Sequence, residues 1–206
     1  MKLTFAQIAS AACGCVRVSE VGGAVRFHRL HAALGGYYAP NEGSRVRMDC
    51  PASVRLVFRS NSRTLAAGFG YGPASRLIFR AACVVDGAMH ELGASDNVPS
   101  WSGGIKPLPD RSERRFELWL PSMVRTDLLF LELEDGSTFV PVKEHVLRWL
   151  AYGDSITQGM TVDNPAENHV GIIARALKAD VWNMGIGGAR MEAFLSSTVP
   201  DYAYDI

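Results

Sequence analysis

The chain has 206 residues, 48% of them hydrophobic, and its 21 basic and 21 acidic side chains leave a formal net charge of zero at pH 7. That length is enough for a buried core and for one or two domains. Balanced charge with scattered arginines excludes recognition of nucleic acid or a membrane surface by bulk electrostatics, and no apolar run is as long as a membrane span.

At the N-terminus, Met1-Lys2 followed by Leu3 to Cys13 loosely mimics a signal peptide. Its basic region is a single Lys, however, and Gln7 and Ser10 interrupt the apolar run. Leu3, Ile8, Ala11 and Ala12 fit one face of a first helix instead, so a cytoplasmic protein is expected, with secretion as the alternative. Cys13, Cys15, Cys50 and Cys83 form no C-x-x-C pair. They read as reduced thiols, and neither a metal nor a cofactor is expected.

Residues up to about 143 read as β. Val54, Leu56 and Phe58 alternate with Arg55, Val57 and Arg59, which predicts a half-buried strand. Arg76 to Val85 predicts another, closed by Asp86-Gly87. Phe116, Leu118 and Leu120 alternate with Glu117 and Trp119. Leu129, Leu131 and Leu133 alternate with Phe130, Glu132 and Glu134 before the Asp135-Gly136 turn. Short strands broken by Gly, Pro, Asn and Ser suggest a β-sandwich of jelly-roll type over 1–143.

The pattern changes over 144–206. Val146 to Tyr152 is a mostly apolar run, as in a strand buried on both faces. Asn164-Pro165 signals a helix start, with Val170, Ile173, Ala174 and Leu177 as its buried face. Asp180 to Ile186 predicts the next strand, and Tyr204-Asp205-Ile206 the start of a third. Strand, helix, strand opens a parallel α/β sheet.

Gly153-Asp154-Ser155-Ile156-Thr157-Gln158-Gly159 directly follows the first of these strands. A serine at the carboxyl end of a buried strand sits at the rim where α/β proteins build their sites. Gly153 permits a sharp turn, and if a helix starts beyond Ser155 its backbone N–H can face a developing oxyanion. Asp154-Ser155 as a simple helix cap is the plain alternative, and the length of the motif argues against it. This segment resembles the first sequence block of the SGNH (GDSL) hydrolases. Asn183-Met184-Gly185-Ile186-Gly187-Gly188 resembles their second block, Asn-x-Gly-x-x-Gly. A dinucleotide fingerprint fits poorly, because it would need Gly where Arg190 stands.

The resemblance implies Ser155 as nucleophile, the N–H groups of Ser155 and Gly188 as oxyanion donors, and Gly153, Asp154 and Asn183 as supporting residues. It also implies a flavodoxin-like, three-layer α/β domain. Upstream, Met1-Lys2-Leu3-Thr4, Val16-Arg17-Val18 and Val25-Arg26-Phe27 look like the start of SGNH esterases with an N-terminal β-sandwich, a layout shared with acetylxylan-esterase-like carbohydrate esterases.

Two blocks of the family do not occur. Gly-x-Asn-Asp would supply a side-chain oxyanion donor, and Asp-x-x-His would supply the base and its orienting acid. Asp96-Asn97 lacks the first pattern, and no Asp stands three residues before His28, His31, His90, His145 or His169. A serine hydroxyl without a base is a weak nucleophile. The expectation is an N-terminal part of a longer enzyme, nearly inactive by itself, whose substrate is a carbohydrate or small-molecule ester. One alternative is a carbohydrate-binding or interaction module with a vestigial α/β tail. Its sugar platform would come from Tyr37, Tyr38, Phe69, Tyr71, Trp101 and Trp119, for which packing is the ordinary role. Another is a non-hydrolytic protein whose Gly-rich turns bind an anion at helix N-termini.

Overall fold

The computed structural model describes residues 1–142, 147–190 and 204–206. In chain order the first elements are α1 (Phe5–Ala11), β1 (Ala12–Cys13), β2 (Arg17–Val21), β3 (Ala24–His28), α2 (Ala32–Tyr38) and α3 (Glu42–Met48). Next come β4 (Arg55–Ser60), β5 (Leu65–Ala74), β6 (Arg80–Val85), β7 (Ala88–Gly93), β8 (Ser100–Gly104), β9 (Arg114–Trp119), β10 (Val124–Leu133) and β11 (Val140–Pro141). The last are β12 (Leu147–Ala151), α4 (Ser155–Gln158), a 3-10 turn (Pro165–Glu167), α5 (His169–Leu177) and β13 (Ala179–Asn183). The fold is mixed and rich in strand.

Thr4 and Gln7 cap α1 reciprocally, each side chain serving the other's backbone N–H. The helix buries Ile8 and Ala11, and Leu3 just before it is buried too. The Met1 amino group reaches the Leu133 carbonyl at 2.6 Å and also meets the Asp135 carboxylate.

Two antiparallel sheets follow from the strand pattern. One runs β1-β4-β9-β6-β7, with β11 also on β4; the other runs β2-β3-β10-β5-β8. Leu56, Phe58, Phe116 and Leu118 of the first meet Val25, Phe27, Leu65, Phe69, Leu128 and Leu131 of the second in one apolar core. The Asp86-Gly87 turn has φ of 47° and 90°, the left-handed pair that a two-residue hairpin requires.

The two sheets depart from the alternating pattern in where strands start and in which faces they bury. The strand predicted over Arg76 to Val85 begins at Arg80. Leu129 is exposed, because a register shift between Leu128 and Phe130 inserts a residue and moves Leu128 into the core. β4 is not half-buried: Arg55 and Val57 are buried as well as Leu56 and Phe58. β9 likewise buries Glu117 and Trp119. The reason is a second core on the other face of this sheet. There Ala82, Val84 and Trp119 pack against Ala151, Val170, Ala174 and Val181 of the α/β part. The Arg55 guanidinium lies 4.9 Å from the Trp119 ring centre and donates to the Ala179 carbonyl at 2.6 Å.

In the α/β part, β12 and β13 pair in parallel from Leu147↔Ala179 to Ala151↔Asn183. Along the other edge of β12, Asp205 N–H donates to the Arg148 carbonyl at 2.7 Å, and Leu150 N–H donates to the Ile206 carbonyl at 2.8 Å. The spatial order is therefore β13, β12, then residues 205–206. Leu147 to Leu150 are only partly buried, not buried on both faces as predicted. The helix signal at Asn164-Pro165 yields the 3-10 turn, and Asn168 caps the helix proper, its Oδ1 accepting from Gly171 N–H at 2.6 Å. That restart rotates the buried face to Val170, Gly171 and Ala174, leaving Ile173 and Leu177 exposed.

Candidate active site

The parallel register sets Ala151 beside Asn183, so both strands leave the sheet at the same edge. After β12 the chain turns through Gly153 and Asp154 into α4. Asp154 caps this helix, its Oδ1 accepting from Ile156 N–H at 3.0 Å. Ser155 is the first helical residue and is half-buried, and Gly159 ends the helix at φ 95°.

The turn after β13 is stitched to this one. Asn183 is fully buried. Its Nδ2 donates to the Thr157 carbonyl at 2.7 Å and to Ser53 Oγ at 2.9 Å, while its Oδ1 accepts from Gly185 N–H at 2.8 Å. Ile186 N–H donates to the Gly153 carbonyl at 3.2 Å. The approach is close enough to require glycine. A Cβ on Gly185 would lie 2.4 Å from the Gln158 backbone nitrogen, and one on Gly153 would lie 2.0 Å from Thr157 Oγ1. Gly188 is exposed in the left-handed region at φ 82°, with open space around it. Among the described residues, neither the Ser155 nor the Gly188 amide has a hydrogen-bond acceptor.

Ser155, Gly188, Gly153, Asp154 and Asn183 thus lie on two interlocked turns. Three contributors carried no signal that sequence reasoning used. Gln158, fully buried, accepts from Gly187 N–H at 2.9 Å and donates to the Arg47 carbonyl at 3.2 Å. Ser53, at φ 61°, meets Asn183 from the β part. Arg29, 2% exposed, donates to the carbonyls of Asn183 at 2.6 Å, Gly185 at 3.0 Å, Cys50 at 3.1 Å and Arg47 at 3.0 Å. Gln158 lies inside the first block, where its side chain was legible as a candidate. The other two lie about a hundred residues or more upstream, in segments without a motif. Leu34 and Tyr38 of α2 complete the support by packing on Met184 and Ile186.

No described histidine serves Ser155. His28 bonds Ser19 Oγ at 2.8 Å, and His31 caps α2. His90 lies on β7, and His169 is exposed at the start of α5. His145 lies outside the described residues. The aromatic platform is also absent as drawn: Tyr38, Phe69 and Trp119 are buried, and Trp101 sits in an edge strand stacked on Phe69 at 5.6 Å. Burial pushes the Tyr71 hydroxyl up to about 12. Among the described residues no group of His, Cys, Asp and Glu is placed to hold a metal ion.

No family model and no curated protein matches the chain. Solved structures do. A GDSL-like lipase from Bacteroides ovatus superposes with a TM-score of 0.77 at 16% identity, over 100% of this chain and 62% of that one. A salicylyl-acyltransferase from a tetracycline biosynthetic pathway gives 0.72 at 24% identity, over 84% of this chain and 50% of that one. A family two carbohydrate esterase from Clostridium thermocellum, in complex with cellohexaose, gives 0.51 at 14% identity, over 66% and 46%. The chain therefore spans about half to three fifths of the length of these proteins, and its fold resembles that of GDSL-type lipases and carbohydrate esterases.

Proposed function

We propose that this chain carries the nucleophile and oxyanion half of a serine ester hydrolase of the SGNH (GDSL) type, acting on carbohydrate or small-molecule esters. The observation that carries this reading is the pair of amides without acceptors, at Ser155 and Gly188, on two locked turns beside a half-buried serine hydroxyl. In the reaction a base takes the Ser155 proton and Oγ attacks the ester carbonyl carbon. The two N–H groups stabilise the resulting oxyanion, and the alcohol leaves as the acyl-enzyme forms. Water then releases the acid. The architecture we read is a β-sandwich over 1–143 followed by a flavodoxin-like domain beginning at 144. The order β13-β12-(205–206) supports the latter, since it matches the 2-1-3 start of that sheet. A cytoplasmic location is proposed with it; burial of Leu3, Ile8 and Ala11 in the main core supports that reading.

The base and the third oxyanion donor are not among the motifs of these 206 residues. The test uses p-nitrophenyl acetate with this chain, with the chain carried on through any sequence that follows Ile206 in its gene, and with Ser155→Ala in the longer form. The longer form is expected to hydrolyse the ester and Ser155→Ala to abolish it. Residues 1–206 alone are expected to be slower by at least 10²–10³-fold, roughly the loss from one missing oxyanion donor. A longer form indifferent to Ser155→Ala would remove the nucleophile assignment.

A further inference from the structure

β2, β3 and β10 are neighbours in the second sheet, and their inward residues Val25, Phe27 and Leu128 fill the core. Alternate residues face the other way. The register pairs Arg17 with His28, Ser19 with Arg26, and Arg26 with Asp127, so Arg17, Arg26, His28 and Arg125 share the outer face. This face is roofed. Ala32 and Gly35 of α2 and Met48 of α3 close over it, leaving a cleft of about 410 Å³.

The floor of the cleft is strongly basic for its size. Arg26 is held by Asp127 through a two-pronged contact of 2.7 and 2.6 Å. Arg17 and Arg125 have no ion pair among the described residues, and Arg125 Nε is buried with no hydrogen-bond partner. Asp49 is the one acid among the described lining residues. His28 is held below its ordinary pKa, first by burial and then by Arg17 and Arg26, against the opposing pull of Asp49 and Asp127. Like charges set side by side on a sheet face are unfavourable unless something of opposite sign offsets them.

We propose that this cleft binds a small organic anion of about monosaccharide size, whose carboxylate or phosphate is gripped by Arg17 and Arg125. Guanidinium groups match either oxyanion in two-pronged geometry, and the volume lies in the range of small-ligand sites. The site is distinct from Ser155. Neither Ser155 nor Gly188 lines the cleft; the two places are linked through α2, whose Leu34 and Tyr38 pack with Met184 and Ile186 while its Ala32 and Gly35 line the cleft, and through Arg29, which lines the cleft and donates to the Asn183 and Gly185 carbonyls.

The test is calorimetric titration at low ionic strength with glucuronate, glucose 6-phosphate and glucose. It compares the unaltered chain, Ser155→Ala, the pair Arg17→Ala with Arg125→Ala, and Arg59→Ala, an arginine of the other sheet. At least one sugar anion is expected to bind and glucose to give no heat; the stronger of the two anions identifies carboxylate or phosphate as the ligand group. The paired variant, with an unaltered circular dichroism spectrum, is expected to lose about tenfold or more in affinity. Arg59→Ala and Ser155→Ala are expected to lose none, so this result is independent of the esterase reading. Salt at about 0.5 M is expected to weaken binding. Glucose binding as well as the anions, no binding by either anion, or equal binding by the paired variant would each overturn the proposal.

Discussion

The Asn183 carboxamide spends all three of its bonds on holding separate segments together: the end of α4, the Gly185 turn, and Ser53 of the β part. Asn183→Ala leaves the buried Gly185 amide and the partly buried Thr157 carbonyl without this partner. Each such group costs about 1–3 kcal/mol, so a loss of about 2–6 kcal/mol is expected in urea unfolding. An unchanged midpoint would mean that water replaces the side chain. A second residue sets a pH dependence. The fold holds His28 below its ordinary pKa, by burial and then by Arg17 and Arg26. As pH falls past about 6.5 the unfolded chain takes up this proton first, so the unfolded state binds more protons and stability falls. Above that pH both states are neutral at this residue and the effect vanishes. Melting temperatures of the unaltered chain and His28→Gln between pH 8 and 5 check this: the slope below pH 6.5 is expected to be shallower in the variant. The Asn was legible as part of a block; its three partners were not, since two are backbone groups and the third is Ser53.

At the scale of elements, alternation located the strands and misjudged how many faces they bury. β9 presents Phe116 and Leu118 to one core and Trp119 to another, with the Trp119 indole N–H donating to Glu117 at 3.1 Å. A period of two reports which residues share a face, not what packs on it. Arg55 and Glu117 read as solvent-facing, yet both are buried: Arg55 donates to the Ala179 carbonyl of the α/β part and lies over the Trp119 ring of its own sheet, and Glu117 meets Arg115 and the Trp119 indole N–H. Trp119→Ala is expected to cost about 3–5 kcal/mol, as for other fully buried aromatics, whereas an exposed tryptophan would cost well under 1. Urea denaturation distinguishes these. The same limit explains α5. Asn164-Pro165 signals one helix start, but a second Asn, four residues on at Asn168, restarts the helix and shifts its buried face.

At the scale of the whole molecule, we propose that the change of period near Lys143 marks a division between a β part and an α/β part; residues 143–146 lie outside the described ones. The parts meet through Trp119, Ala82 and Val84 on one side and Ala151, Val170, Ala174 and Val181 on the other. Arg29 and Arg55 also reach across to carbonyls of β13 and its turn. Limited proteolysis is expected to cut first near 143–146 and to leave the β part as the more resistant core. Survival of the α/β part instead would overturn this division. Residues 1–142 made alone are expected to unfold at lower urea than the same residues in the full chain, because Trp119 then faces water. The two Gly-rich blocks, their order, and their place after successive strands were legible along the chain, because turn chemistry and strand period are local. That Arg29, Ser53 and Gln158 brace the Ser155 and Gly188 turns, that one sheet is covered on both faces, and that Arg17, Arg26 and Arg125 line a cleft emerges from packing alone. Those facts depend on contacts between residues tens to more than a hundred positions apart, and no local pattern encodes which buried or charged side chains the fold will bring together.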